Sequence, residues 1–278
     1  MPQASISCVV PTLNSAATLD QTLLSLRSQR EILLRVIVVD SGSTDGTLEI
    51  CRRWEVETLY AEPGNMYRAI NVGLRESRTD WLAYLNSDDW VYPTSFARLA
   101  TGGEVTKAGI VYGNCDYTDG DSRFVYSFAA AEPEHLLPLF RLGRMGFAQQ
   151  AAIFRREVYE RLQGFDETFR FRGDADFYSR ALLGKTQFAK LDGASVACFR
   201  LHSNQFSNSN NEQRNQIDAE EALRIFGKHE MAAHASDWLK LASWRFRNSP
   251  HYLIRILRES LLSKKLRFPR TIETYTHR

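Results

Sequence analysis

The sequence predicts an α/β protein: an open, mainly parallel sheet with helices on both faces, followed by a helical, basic C-terminal extension. Three observations carry that expectation. Apolar, β-branched runs alternate with segments of helical periodicity as far as residue 89. The runs end in polar, aspartate-bearing loops. Beyond residue 210 the periodicity is helical only.

The elements follow in order. Ile6-Ser7-Cys8-Val9-Val10 is a short apolar run closed by Pro11. Leu19, Leu23 and Leu26, with Thr22, then share one helical face, and Asn14 or Ser15 is placed to cap it. Val36-Ile37-Val38-Val39 has the continuous β-branching of a strand covered on both faces. It ends at Asp40 and a turn-rich stretch, residues 41–46, before a helix from about Thr47 and a third strand from Val56 to Tyr60. Met66, Ala69, Ile70 and Gly73 have helical spacing, and Trp81 to Leu85 forms a fourth strand ending in Asn86-Ser87-Asp88-Asp89. Such a rhythm implies right-handed crossovers between parallel strands.

Further strands are expected at Ile110–Tyr117, Phe124–Phe128, Phe147–Phe154 and Ser195–Arg200, with a helix near Asp174. The polar run Ser203–Asn215 divides a sheet domain, residues 1–210, from the extension, residues 211–278. There, Ala219, Ala222, Leu223 and Phe226 form one stripe, and Leu253, Ile256, Leu257 and Leu261 a second.

Composition narrows the class. With 44% hydrophobic and 24% charged residues in 278, the chain is neither disordered, fibrous nor a disulfide miniprotein. No apolar run reaches the ~20 residues that cross a bilayer. Met1 to Ser7 lacks a secretory pattern, so a cytoplasmic location is expected. Cys8, Cys51, Cys115 and Cys198 are scattered, as small buried residues in a reducing compartment would be. Net charge is +2, but residues 240–278 carry ten Lys/Arg against two acids, +8, leaving −6 for the rest. The aromatic-flanked basic stretch, residues 238–270, reads as a solvated helix face or as a surface that docks on anionic lipid at the inner face of the cell membrane. No nucleic-acid motif accompanies it. His229 and His234 do not share a helical face, and Gly184-Lys185 lacks a phosphate-binding glycine loop.

Ligands of open α/β sheets bind outside the carboxyl ends of the strands. Pro11-Thr12-Leu13-Asn14, Asp40-Ser41-Gly42-Ser43 and Asn86-Ser87-Asp88-Asp89 all end strands. If those strands are neighbours, Asp40, Asp88 and Asp89 crowd one edge and repel unless a cation joins them. Oxygen ligands select Mg²⁺ or Mn²⁺, which prefer to be shared with a substrate phosphate. The pattern therefore points to a nucleotide diphosphate bridged by a metal.

These loops, with Ala69-Ile70-Asn71-Val72-Gly73, Gly164-Phe165-Asp166-Glu167, Asp174-Ala175-Asp176…Arg180 and Arg200-Leu201-His202, resemble the family 2 glycosyltransferases in order, over residues 5–207. The resemblance implies a GT-A fold, a nucleotide-diphosphate sugar donor, a glycan or lipid-linked acceptor in surface polysaccharide biosynthesis, a divalent cation (Mn²⁺ or Mg²⁺) and inversion at the anomeric carbon. It places Thr12, Asn14, Asp40, Asn71 and Asp88 on the donor, Asp89 and His202 on the metal, and Asp174 as the base. For the acceptor side the candidates are Trp90, which suits a sugar face or plain packing, Gln150, which suits an acceptor sugar or an edge hydrogen bond, and Asp176, a rival base. Two departures stand out. Gly173-Asp174 replaces a frequent Glu-Asp, and the processive Gln-x-x-Arg-Trp motif is missing. Asp174 also suits a plain first-turn helix acid. A nucleotidyltransferase or a nucleotide-sugar binding module are the rival readings, the first weakened because Pro11–Ala17 is neither glycine-rich nor basic.

Overall fold

The computed structural model describes residues 3–201, 212–229 and 232–246. Strand β1 (Ser5–Thr12) lies inside a seven-stranded sheet, parallel to β2 (Leu33–Asp40) on one side and to β4 (Trp81–Tyr84) on the other; β3 (Glu57–Tyr60) extends the sheet beyond β2. The connections are α1 (Leu19–Arg27), α2 (Thr47–Arg53) and α3 (Met66–Arg75). Helix α1 starts after Thr18 rather than at Asn14 or Ser15, whose backbones form the preceding turn. Helix α3 sits unusually close to the sheet, because a Cβ on Gly73 would fall 2.7 Å from Val9 and 3.0 Å from Val39.

Strand β1 continues through Pro11, where the sequence suggested a stop. Val9 faces β4, accepting the Leu85 N–H, so Pro11 two residues on faces the same side after β4 has ended.

Beyond β5 (Trp90–Val91) the chain departs from the simple rhythm. Strand β9 (Ala152–Arg155) runs antiparallel between β4 and β6 (Ile110–Tyr112), and β10 (Phe188–Lys190) pairs parallel with β6. A second sheet of four strands orders β5, β11 (Ala197–Arg200), β7 (Cys115–Thr118) and β8 (Phe124–Phe128). The apolar run 110–117 is thus two strands in two sheets. It breaks at Gly113-Asn114, where the Asn114 side chain bonds the Gly193 carbonyl and the Ala130 N–H. Only the end of 147–154 is strand, since Gln149–Ala151 forms a 3₁₀ turn.

Three helices have no counterpart in the sequence reading: α4 (Ser95–Thr106), α5 (Pro133–Arg141) and α6 (Arg156–Arg161). Helix α7 (Gly173–Leu183) starts beside Asp174, and α8 (Glu212–Lys228) opens the extension, followed by helical residues 235–246. The expected α8 stripe is corrected. Leu223 is 71% exposed, while Glu221 and Ile225 are buried, because the inward face of α8 grips a polar loop as well as the core. Ile225, Leu241 and Trp244 join the same core as β1, β2 and β4. The second stripe, from Leu253, lies outside the described residues. All four cysteines are free and buried. Among the described residues no helix is long and apolar enough to cross a membrane.

Candidate active site

The carboxyl ends of β1, β2 and β4 are adjacent, and their loops are stitched together. Thr12 pairs with Asp40 across the strands, and its hydroxyl donates to Asp40 Oδ1 at 3.0 Å. Asn14, with φ 52°, accepts the Thr44 N–H at 2.9 Å, and its own N–H donates to Ser43 Oγ. The Ser15 and Ser87 hydroxyls are 2.7 Å apart, and the Thr22 hydroxyl reaches the carbonyls of Ser87 and Asp89. One continuous rim therefore joins Asp40 to Asp88 and Asp89.

Asp40 is spent largely on that rim. Its Oδ2 accepts the N–H groups of Gly42 and Ser43, and Oδ1 accepts the Thr12 and Ser43 hydroxyls; the residue is 3% exposed. It builds a rigid loop rather than presenting a bare carboxylate.

Asp89 is different. It is fully buried; Oδ1 accepts the Arg200 N–H at 3.0 Å, Oδ2 makes no hydrogen bond of normal geometry among the described residues, and the Asn86 side chain lies close enough to favour the charged carboxylate. Burial, then the neighbouring Asp88, pushes its carboxyl well above the usual carboxylate range. The buried Arg200 guanidinium donates to the Asp88 carbonyl at 2.9 Å and lies 5.0 Å over the Trp90 ring. Among the described residues no group of three or more His, Cys, Asp or Glu forms a complete cage. Two aspartates, one with a spare buried oxygen, nonetheless fit a hard cation that takes its other ligands from a substrate diphosphate. His202 lies outside the described residues.

Asp174 approaches from α7. Its Oδ1 accepts the Ala175 N–H at 2.7 Å and lies 3.4 Å from the Tyr67 hydroxyl. Burial pushes its carboxyl up to about 6, although the Ala175 N–H, the Arg172 charge and Tyr67 all pull the other way. Tyr84, at the end of β4, is buried. Its phenol is pushed up first by burial and then by Asp174, Tyr67, Tyr178 and Asp89. Gly173, where the family often has Glu, is explained by Tyr67: a Cβ there would sit 2.7 Å from the Tyr67 ring.

Three candidate residues are engaged in bracing, packing or ion pairs in this structure. Asn71 is 1% exposed and fully engaged: its Nδ2 donates to the Phe165 carbonyl and Glu167 Oε1, and its Oδ1 accepts the Phe165 N–H and the Tyr159 hydroxyl. It braces the 165–167 loop and offers nothing to a donor. Trp90 is 1% exposed, closed off by Arg200, so no ring face is open to a sugar. Asp176 is buried against Arg180 at 2.7 Å and His229 at 3.1 Å. Gln150 remains of interest: it is 5% exposed and its Nε2 is buried without a hydrogen-bond partner, beside Gln149, whose Nε2 donates to the Tyr84 carbonyl. Sequence reasoning missed Tyr67, Tyr84 and Glu221. Tyr and Glu carry no local motif, and only the tertiary contacts mark them.

Aspartate-bearing loops joined at the strand ends of a mixed seven-stranded sheet are the build of a GT-A glycosyltransferase. Residues 7–163, over half of the chain, match the profile of Glycosyl transferase family 2, and the chain belongs to that family. Relatives include the succinoglycan biosynthesis protein ExoO of Rhizobium meliloti (strain 1021), 30% identical over 195 residues, covering 64% of this chain and 55% of ExoO. A PGL/p-HBAD biosynthesis glycosyltransferase of Mycobacterium bovis (strain BCG / Pasteur 1173P2) is 28% identical over 188 residues, covering 65% of this chain and 70% of its own. The chain thus spans little more than half of ExoO. Among solved structures, S. aureus TarS 1-349 in complex with UDP-GlcNAc superposes with a TM-score of 0.65 at 19% identity, covering 88% of this chain and 72% of TarS. The mannosyltransferase PcManGT from Pyrobaculum calidifontis, in complex with GDP-Man and Mn²⁺, gives 0.57 at 18% identity, covering 93% and 85%.

Proposed function

We propose that this chain transfers one sugar, with inversion, from a nucleotide-diphosphate donor to a glycan or lipid-linked acceptor in the assembly of a surface polysaccharide. The observation that carries the reading is the rim at the ends of β1, β2 and β4, joined by the Thr12–Asp40, Ser15–Ser87 and Thr22–Asp89 hydrogen bonds, with a second carboxylate on α7 in a different environment. Asp89 has a spare buried oxygen, and Asp174 has a carboxyl near pH 6. Environments that push two acids apart in character suit two different tasks.

Thr12, Asn14 and the loop shaped by Asp40 form the donor wall. Asp88 and Asp89 would hold a divalent cation, Mn²⁺ or Mg²⁺, whose chemistry is to offset the charge gathering on the departing nucleoside diphosphate. Asp174 takes the proton of the acceptor hydroxyl as its oxygen bonds to the anomeric carbon and the bond to the diphosphate breaks. A base so placed contributes ~10²–10⁴-fold. The spare Gln150 Nε2 donates to a sugar hydroxyl. The names of the relatives, succinoglycan and PGL/p-HBAD biosynthesis, support the substrate class. For the extension, exposed Trp238 and Leu239 beside Lys240 and Arg245 support docking on anionic lipid, which would bring the enzyme to a lipid-linked acceptor at the inner membrane face.

A screen of nucleotide sugars by thermal shift, with and without Mn²⁺, tests the donor reading, followed by product analysis. Free nucleoside diphosphate is expected. Pyrophosphate would instead mark a nucleotidyltransferase, and binding without any turnover would mark a binding module. Sedimentation with anionic liposomes tests the extension; binding indifferent to salt and lipid charge refutes docking.

A further inference from the structure

The loop that delivers the chain into α7, residues 165–172, is gripped from two sides. From α3 and the residue before it, Asn65 Nδ2 donates to the carbonyls of Glu167 and Phe169, Asn71 braces Phe165, and the Tyr67 hydroxyl donates to the Phe171 carbonyl at 2.9 Å. From the other side comes α8, beyond the family-matched residues. Glu221, 6% exposed, accepts three successive backbone N–H groups: Arg170 at 2.6 Å, Phe171 at 2.9 Å and Arg172 at 2.9 Å. Asp218 binds the Arg172 guanidinium through two bonds, 2.9 and 2.6 Å, and Arg224 lies 3.5 Å over the Phe169 ring.

A carboxylate taken out of water is costly unless its lone pairs are filled by good donors, and three N–H groups at the entrance to a helix do this. Of the three, the Arg172 N–H belongs to the cap of α7, and the Arg170 and Phe171 N–H groups belong to the loop that leads into it. Phe171 is the pivot. Its N–H is held by Glu221, its carbonyl by Tyr67, and the same Tyr67 hydroxyl lies 3.4 Å from Asp174 Oδ1. Any shift of that peptide moves Asp174 and the tyrosine beside it together.

We propose that Glu221 is a positioning residue for sugar transfer: reaching in from the C-terminal extension, it locks residues 170–172 and thereby aims Asp174 at the acceptor hydroxyl. The inference rests on the base assignment made above for Asp174. The donor rim belongs to β1, β2 and β4, so Glu221 should govern turnover and leave donor binding alone. A misplacement of about 1 Å in a reacting group can cost ~10²-fold.

The test compares Glu221→Ala and Glu221→Gln in the full chain. In the alanine variant kcat is expected to fall ~10²-fold with donor KM unchanged. The acidic limb of kcat should move to lower pH as water reaches Asp174. Glutamine, which keeps one acceptor oxygen, should recover part of the loss, and it decides the matter if the alanine variant does not fold. Wild-type kcat and pH profile in a folded variant would overturn the proposal, as would a loss confined to donor KM. A failure of the base assignment shows separately: Asp174→Asn would then turn over normally. Carbon-13 titration of the Asp174 carboxyl in wild type and Glu221→Ala still reports, without turnover, whether Glu221 controls its surroundings; an unchanged titration counts against the proposal.

Discussion

Replacing Asp174 by asparagine should damage catalysis and improve stability at once. Asparagine keeps an oxygen for the Ala175 N–H, which Asp174 Oδ1 now accepts at 2.7 Å, and removes only the charge. The carboxyl is raised from 3.8 to about 6, mainly because burial disfavours the ionised form. At 1.36 kcal/mol per unit, holding Asp174 ionised in the folded state costs at most about 3 kcal/mol, and about half of that once partial solvent access is allowed for. The sign follows from proton counting. Between pH 3.8 and 6 the folded chain binds the proton that the unfolded chain has already lost, so this group lowers stability as pH rises through that window. Asp174→Asn should therefore melt about 3–6 °C higher than wild type at pH 7.5, at roughly 2 °C per kcal/mol for a chain of this size. The two should converge below about pH 4. In the same variant kcat should drop ~10²–10⁴-fold, and the acidic limb expected of wild type below about pH 6 should be missing. Calorimetry across pH and a coupled nucleoside-diphosphate assay measure both. Equal melting temperatures at pH 7.5, or an acidic limb surviving in the variant, would refute the account of Asp174.

Three further substitutions separate roles. Asp89→Asn, which keeps an acceptor for the Arg200 N–H but not the carboxylate, should abolish Mn²⁺-dependent stabilisation by the donor; an unaltered Mn²⁺ response in thermal shift excludes the proposed ligand. Asn71→Ala strands several buried partners and should cost about 2–4 kcal/mol in denaturant melts, leaving donor KM unchanged; the opposite pattern would restore Asn71 to the donor site. Gly173→Ala forces a Cβ to within 2.7 Å of Tyr67 and should cost about 1–3 kcal/mol, a loss that a smaller residue at position 67 relieves in a double-mutant cycle.

The first half of the fold was legible because each β-branched run and each helical stripe there forms its own element. Val36–Val39 had to be a doubly covered strand, and the loops after Val10, Val39 and Leu85 had to meet. The second half hides its logic in pairing. Nothing local marks Ile110–Tyr112 and Cys115–Thr118 as members of different sheets, and β10, three residues long, is defined by its neighbour β6. Among the candidate residues, motif type singled out Asp88, Asp89 and Asp174 but could not distinguish a carboxylate with an open oxygen from one consumed by its own loop, as Asp40 is. Asn71 and Trp90 lie in the right motifs with side chains turned to bracing and packing. Glu221 was invisible because its value lies in three backbone donors some fifty residues earlier in the chain.

The reversed strand β9 also dictates the order in which the molecule can be assembled. It separates β1–β4 from the β6–β10 pair, so that the two groups of strands meet only through β9. On the ribosome the first four strands can zip as they emerge, but the Trp81–Tyr84 border stays bare until Phe154 and Arg155 arrive to pair with it. Ile110 waits longer still for Phe188. Nascent chains halted in that interval present an open strand edge, the kind of surface that recruits other chains, so the hazard of misassembly is concentrated at an interior seam of the finished sheet.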